Sequence, residues 1–170
     1  MVISFDIETT GLDPYESMVI VIGMKKGKKV KQRKIWEIGD EAKMILEVVG
    51  EITKTHETIV GYNNLKFDVP FMLERLRILS KFKQEFWEIY NKKWFDLYQY
   101  LGNDYRSLNQ WLSNAHIKRK YPDITGRDIP ILYSKKEYEK ILAHNFDDLI
   151  SSEKLFKFLK KINPALIPFD

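Results

Sequence analysis

The 170-residue chain predicts an α/β fold, a mixed β-sheet flanked by α-helices. Three observations carry this. β-type runs cluster in the first 36 residues, one more follows a helical stretch, and most of the rest has helical periodicity. The length suits one domain with a full core and is short for two. No internal repeat or low-complexity linker divides the chain, so residues 1–170 are expected to form a single domain.

Val2, Ile3, Phe5 and Ile7 make a short apolar run that reads as a buried strand, closed by the Gly11 breaker. Gly11 to Ser17, marked by Asp13-Pro14, reads as a loop. Met18 to Met24 and Val30 to Trp36 read as strands of a hairpin, joined by the turn from Lys25 to Lys29 around Gly27. Asp40 is the expected N-cap of a helix reaching about His56, with Ile45, Val48, Val49 and Ile52 at helical spacing. Thr58 to Tyr62 is a further β-type run. Pro70 opens a helix through Leu79, and Phe82, Phe86 and Ile89 suggest another. Phe95 to Leu101 and Leu108 to Ile117 read as helical. Tyr121 to Tyr133, with Pro122, Gly126 and Pro130, reads as a loop. A last helix runs from about Lys136 to Ile162, with a break near His144 left open.

Composition bounds the function classes. With 44% hydrophobic and 31% charged residues, the chain reads as a soluble globular protein rather than a disordered one. No apolar run approaches a membrane span, and the N-terminus carries acids where a signal peptide has a basic segment. No membrane partner is expected. The absence of cysteine excludes disulfides and thiolate zinc sites and fits a cytoplasmic setting. Only His56, His116 and His144 are present, so carboxylates are the expected metal ligands. The net charge of +4 would suit a polyanion. Lys25 to Lys34 holds seven cations in ten residues. That stretch is either a solvated hairpin or a phosphate-contacting patch, with Lys28, Lys29 and Lys31 as candidate backbone contacts.

Two carboxylates, Asp6 and Glu8, interrupt the first strand. Residues two apart on a strand point the same way. Burying two anions side by side is costly, so a cation should sit between them, and hard divalent ions such as Mg²⁺ or Mn²⁺ take such ligands. The alternative is a solvated strand end where both acids pair with lysines. Near the C-terminus, His144 and Asp148 are four apart and share a helix face, with Leu142, Phe146, Leu149 and Phe156 roughly opposite, toward the sheet. Asp147 is the rival acid, about 100° around the helix.

The stretch Phe5-Asp-Ile-Glu-Thr-Thr-Gly-Leu12 resembles the first motif of the DEDD superfamily of 3′→5′ exonucleases. Asn63-x-x-x-Phe67-Asp68 resembles its second motif, and His144-Asn-Phe-Asp-Asp148 a third motif of the His/Tyr-Asn-x-x-Asp branch. The histidine departs from the usual tyrosine at that spacing. Phe95-Asp-Leu97 and Ser107 to Trp111 resemble connecting segments, in which Asp96 reads as structural. The resemblance spans residues 5 to 149 and implies an RNase H-like fold and two divalent ions, Mg²⁺ or Mn²⁺.

It further implies that Asp6, Glu8, Asp68 and Asp148 hold the ions, with Asp6 bridging and Glu8 on the ion of the attacking water. His144 would be a proton acceptor. Thr9, Gly11, Leu12, Asn63, Asn64 and Phe67 would lie at the substrate. The implied activity is hydrolysis of single-stranded DNA from the 3′ end, releasing nucleoside 5′-monophosphates. The alternatives are an RNA 3′→5′ exonuclease, a structure-selective endonuclease, or a non-catalytic nucleic-acid-binding module on the same fold. Oligomeric state is not readable from the sequence.

Overall fold

The computed structural model describes residues 1–36, 39–102 and 106–165. At its centre is a five-stranded sheet: β1 (Val2–Thr9), β2 (Val19–Lys26), β3 (Lys29–Lys34), β4 (Thr58–Gly61) and β5 (Trp94–Asp96). The spatial order is β3-β2-β1-β4-β5. The first three strands form an antiparallel meander, and β4 and β5 run parallel to β1. Parallel neighbours need crossovers. The helix α1 (Glu41–Lys54) supplies the one before β4; α2 (Asp68–Ile78) and a 3-10 segment (Gln84–Asn91) supply the next.

Alternation along β1 divides its side chains between two layers. Phe5 and Ile7 join Val48, Ile52, Val69 and Met72 in the core beneath α1 and α2. Asp6 and Glu8 face α6 (Tyr138–Ile162), which crosses β1, β2 and β4 on the other side. There Leu155, Phe156 and Leu159 pack with Val60 and Phe95 and with Leu108 and Leu112 of α4 (Leu108–Asn114). Two short helices complete the set, α3 (Leu97–Tyr100) and α5 (Ile129–Ser134). No helix among the described residues is long and apolar enough to cross a membrane.

The feature that positions the site is where the parallel ladder stops. β1 pairs with β4 through Val2, Ile3 and Ser4, and β4 ends at Gly61. The second half of β1 keeps β2 on one side but has lost its strand neighbour on the other. Its backbone groups are satisfied by side chains instead, as buried polar groups must be. Asn64 Nδ2 donates to the Phe5 carbonyl at 3.3 Å, and the Ile7 N–H donates to Asp68 Oδ1 at 3.1 Å. A register shift between Glu8 and Thr9 then moves the last pair with β2 to Thr9 and Val19.

Four elements differ from the sequence expectation. Phe95 is in strand β5 rather than a helix; three residues are too few to show a period, and the helical signal belongs to α3 just after it. The segment around Phe86 is 3-10 rather than α. The stretch expected as loop contains α5, where Pro130 stands in the first helical turn, a position that tolerates its missing N–H. Helix α6 passes His144 without a break. Its sheet-facing stripe also differs: Leu149 and Phe156 are buried as expected, but Leu142 and Phe146 are half-buried, and Asn145 takes the inward place.

Candidate active site

The open half of β1 borders a cleft of about 1020 Å³. Asp6 and Glu8 reach it from β1, Asp68 from the start of α2, and His144 and Asp148 from one face of α6. All five residues singled out for chemistry therefore meet in one place.

Each acid is held differently. Asp6 Oδ2 accepts a hydrogen bond from Asn145 Nδ2 at 2.7 Å. Asn145 is itself fixed by Gln32 Nε2, which donates to its Oδ1 at 2.8 Å and to the Leu142 carbonyl at 2.8 Å. That clamp needs Gly23: a Cβ there would stand 2.2 Å from Asn145 Oδ1. The second asparagine sits over a second glycine, since a Cβ at Gly61 would lie 1.8 Å from Asn64 Oδ1. Asp68 lies on the first turn of α2 but does not cap it; its carboxylate is turned to β1. Glu8 is 5% exposed, and its Oε1 has no hydrogen-bond partner. His144 Nε2 lies 4.0 Å from that oxygen and 3.4 Å from Asp148 Oδ2.

Sequence reasoning missed Arg119. Its guanidinium is buried, grips Asp148 Oδ1, and donates through Nε to Asp147 Oδ2 at 3.0 Å and through Nη1 to Asn109 Oδ1 at 2.5 Å. Asp147 also accepts from the Lys120 and Tyr121 N–H groups at 3.2 and 3.0 Å. It is therefore a loop anchor, and Asp148 is the acid that faces the cleft. The tandem Asp147-Asp148 beside Lys118-Arg119-Lys120 was the available signal. Asn145 was visible only as part of a motif, and its clamp on Asp6 is a tertiary contact.

The electrostatics mark an anionic site short of cations. Burial pushes the Asp6 and Glu8 carboxyls well above their ordinary range, and the other acids push them further: Asp148 and Asp68 act on Asp6, and Asp6, Asp148 and Asp68 act on Glu8. Burial raises Asp68 to about 7, against lowering by the Ile7 N–H and Asn64. Asp148 is also raised by burial, although His144 and Arg119 oppose it. His144 is pushed down, mainly by burial, which favours the neutral imidazole. Asp147 goes the other way. Burial would raise it, but the Tyr121 N–H, Arg119 and the Lys120 N–H outweigh that.

These residues fit a divalent cation. Glu8, His144 and Asp148 each offer one ligand atom, all within 4.8 Å of one another, and a buried carboxylate oxygen is left without a partner.

The expected substrate contacts separate into two groups. Gly11, Asn63 and Phe67 line the cleft, as do Thr9, whose Oγ1 donates to the Gly11 carbonyl at 2.6 Å, and Leu12, 84% exposed at the rim. Asn63 has a positive φ of 66°, and its N–H donates to Asp96 Oδ1 at 2.9 Å. Asp96 also takes the Leu65 and Tyr98 N–H groups, the structural role expected of it. Asn64 does not line the cleft; it is fully buried and supports β1 and Asp68 from behind. Lys28 and Lys29 stand at the hairpin tip, beside the start of β1 and away from Glu8, while Lys31 pairs with Glu51 at 2.9 Å.

"Uncharacterized protein MJ0365" of Methanocaldococcus jannaschii is 31% identical over 170 residues, covering 91% of this chain and 92% of that protein. Among solved structures, the family B DNA polymerase of Pyrobaculum calidifontis aligns with a TM-score of 0.72 at 19% identity, covering 95% of this chain and 24% of the polymerase. E. coli exonuclease I in complex with a 5cy-dA13 oligonucleotide aligns at 0.57 with 15% identity, covering 97% of this chain and 41% of that one. A further exonuclease I structure reaches 0.69 at 13% identity, covering 97% and 42%. The chain thus spans about a quarter of the polymerase and about two fifths of the exonucleases, and these likenesses speak for the fold. A family model described as RNase_H superfamily matches residues 3–160, and the chain belongs to that superfamily.

Proposed function

We propose that the chain is a divalent-metal-dependent 3′→5′ exonuclease that hydrolyses single-stranded nucleic acid, with DNA the favoured substrate. One observation carries this reading: four carboxylates from three distant segments converge on a cleft where their charge is left uncompensated. Direction and products rest on the motif resemblance, with nucleoside 5′-monophosphates released from the 3′ end. The choice of DNA is supported by the DNA polymerase and oligonucleotide-bound exonuclease with which the fold is shared. The 170 residues would act as one domain, and the cysteine-free composition supports a cytoplasmic setting.

Asp6, Glu8, Asp68 and Asp148 would hold two ions, Mg²⁺ or Mn²⁺. By the motif resemblance, Asp6 would be the carboxylate that the two ions share, and Asp148 and Asp68 both act on it. Bound there, the metals would neutralise the phosphate, lower the pKa of the attacking water and support the leaving 3′ oxygen. The chain's own residues set the geometry. Asn145 fixes the Asp6 carboxylate, and the Ile7 N–H fixes Asp68. Arg119 holds Asp148 by one oxygen and turns the other toward His144. Leu12 and Phe67 give the cleft an apolar wall against which a base can rest without being read.

The test is incubation with 3′- and 5′-labelled DNA and RNA strands in Mg²⁺, Mn²⁺ or EDTA. Stepwise loss from the 3′ end of DNA, abolished by EDTA, is expected. Faster cleavage of RNA would reassign the substrate. Binding without cleavage in every metal would mean a non-catalytic module.

A further inference from the structure

One nitrogen, from His144, stands among the carboxylates of the cleft. His144 is 3% exposed, and its Nε2 faces Glu8 Oε1 at 4.0 Å and Asp148 Oδ2 at 3.4 Å. Neither distance is a normal N–H···O hydrogen bond, which spans about 2.7–3.2 Å. Both fall within the range open to co-ligands of one ion. Two donors each about 2.1 Å from one ion stand roughly 3.0 Å apart when cis and 4.2 Å when trans.

Other contacts leave Glu8 Oε1 and Asp148 Oδ2 facing the imidazole Nε2, while the buried Nδ1 of His144 has no hydrogen-bond partner. Arg119 occupies Asp148 Oδ1, so Oδ2 is the oxygen turned toward the imidazole. Glu8 Oε1 is buried without any hydrogen-bond partner.

We infer that His144 enters the coordination shell. Glu8 Oε1, Asp148 Oδ2 and His144 Nε2 form one mixed nitrogen–oxygen site for a borderline divalent ion of the Mn²⁺, Co²⁺ or Zn²⁺ kind. Mg²⁺ prefers oxygen and is disfavoured there, whereas imidazole suits the later first-row ions. This rests on the metal-dependent reading of the cleft and assigns His144 the role of ligand in place of the proton acceptor implied by the motif. The Asp6 and Asp68 side remains all-oxygen.

The test uses the full chain without nucleic acid. Mg²⁺, Mn²⁺ and Co²⁺ binding is measured by calorimetry, and Mn²⁺-loaded protein is examined by pulsed electron paramagnetic resonance for ¹⁴N coupling. The wild type should show coupling to one imidazole and bind Mn²⁺ or Co²⁺ at least about tenfold more tightly than Mg²⁺. In His144→Gln the coupling should vanish, and Mn²⁺ affinity should fall about 10–100-fold or more, since even supporting groups around a metal are worth that much. The exposed His56 and His116 remain in the variant and serve as internal controls. His144→Tyr provides a second variant if glutamine impairs folding, judged by circular dichroism. Absence of ¹⁴N coupling in the wild type, or an unchanged metal preference in both folded variants, overturns the inference. Nuclease activity with Mg²⁺ and no nitrogen coupling would sink the ligand assignment alone. Nitrogen-coupled Mn²⁺ in a protein that cleaves nothing would sink the exonuclease reading alone.

Discussion

Glu8 and Glu41 are glutamates of almost equal burial, 5% and 6% exposed, and they live in opposite electrostatic worlds. Glu41 opens α1 and is fully supplied by the chain. Its Oε1 accepts from the Val19 N–H and Arg75 Nε, both at 2.8 Å, and its Oε2 from Arg75 Nη2 at 2.6 Å. Arg75 also donates to the Pro14 carbonyl at 2.6 Å, so the pair ties α1, α2, β2 and the loop after β1 together. Glu8 has three anionic neighbours acting on it and an oxygen with no partner. A buried charge with its counterion built in is architecture. A buried charge without one needs a cation from outside, or a proton.

The largest way to break this contrast is to remove the unsupplied acids. Asp6→Asn and Glu8→Gln should each lower cleavage by at least about 10³-fold, the several kcal/mol that a correctly held metal contributes. The folded state should survive. A labelled-strand assay together with circular dichroism reads both, and near-wild-type turnover in either variant would end the metal assignment.

The converse substitution is at Glu41. Glu41→Ala strands a buried guanidinium and should destabilise the fold by about 3–5 kcal/mol. Specific activity per folded molecule should be unchanged. Denaturant unfolding checks the first point, and a loss of activity without a loss of stability would contradict the structural role.

A smaller effect has its own pH signature. Asp68 has its carboxyl raised to about 7 in the fold, against an ordinary value of 3.8. Between those values the folded protein holds more protons than the unfolded chain, so metal-free stability falls as pH rises from about 4 to about 7. Asp68→Asn keeps an acceptor for the Ile7 N–H and removes the charge. In EDTA it should be more stable than wild type by about 1–3 kcal/mol above pH 7, with the gain vanishing near pH 4. Thermal melts across that range test the sign; a gain largest at low pH would refute it.

The least effect should come from the hairpin cations, where the same contrast recurs in basic form. Lys31 has Glu51, whereas Lys28 and Lys29 have no ion pair among the described residues. Lys28→Ala and Lys29→Ala should each reduce the salt slope of strand binding by about one, and Lys31→Ala by less. Equal slopes in all three would make the hairpin a solvated face.

These contrasts also explain what the sequence could and could not say. Asp6 and Glu8 share a face because strands alternate, and His144 and Asp148 share one because helices repeat; both rules are local and readable. Whether an acid is supplied with a partner is not local. Arg75 reaches Glu41 across 34 positions, and Arg119 reaches Asp148 across 29. The fit of Asn145 over Gly23 depends on a helix crossing a sheet. Strand β5 escaped for a different reason, since three residues flanked by a helical turn carry no period of their own.

The early end of the ladder between β1 and β4 leaves the Ile7 amide bound to a titrating side chain instead of a neighbouring strand. That amide sits in the middle of the sheet, where solvent exchange is ordinarily governed by opening of the strand. Here its protection depends on the position of one carboxylate. Hydrogen exchange at a single backbone site thereby becomes a gauge of what occupies the cleft. A ligand that draws Asp68 outward loosens the Ile7 proton, and one that leaves Asp68 in place does not.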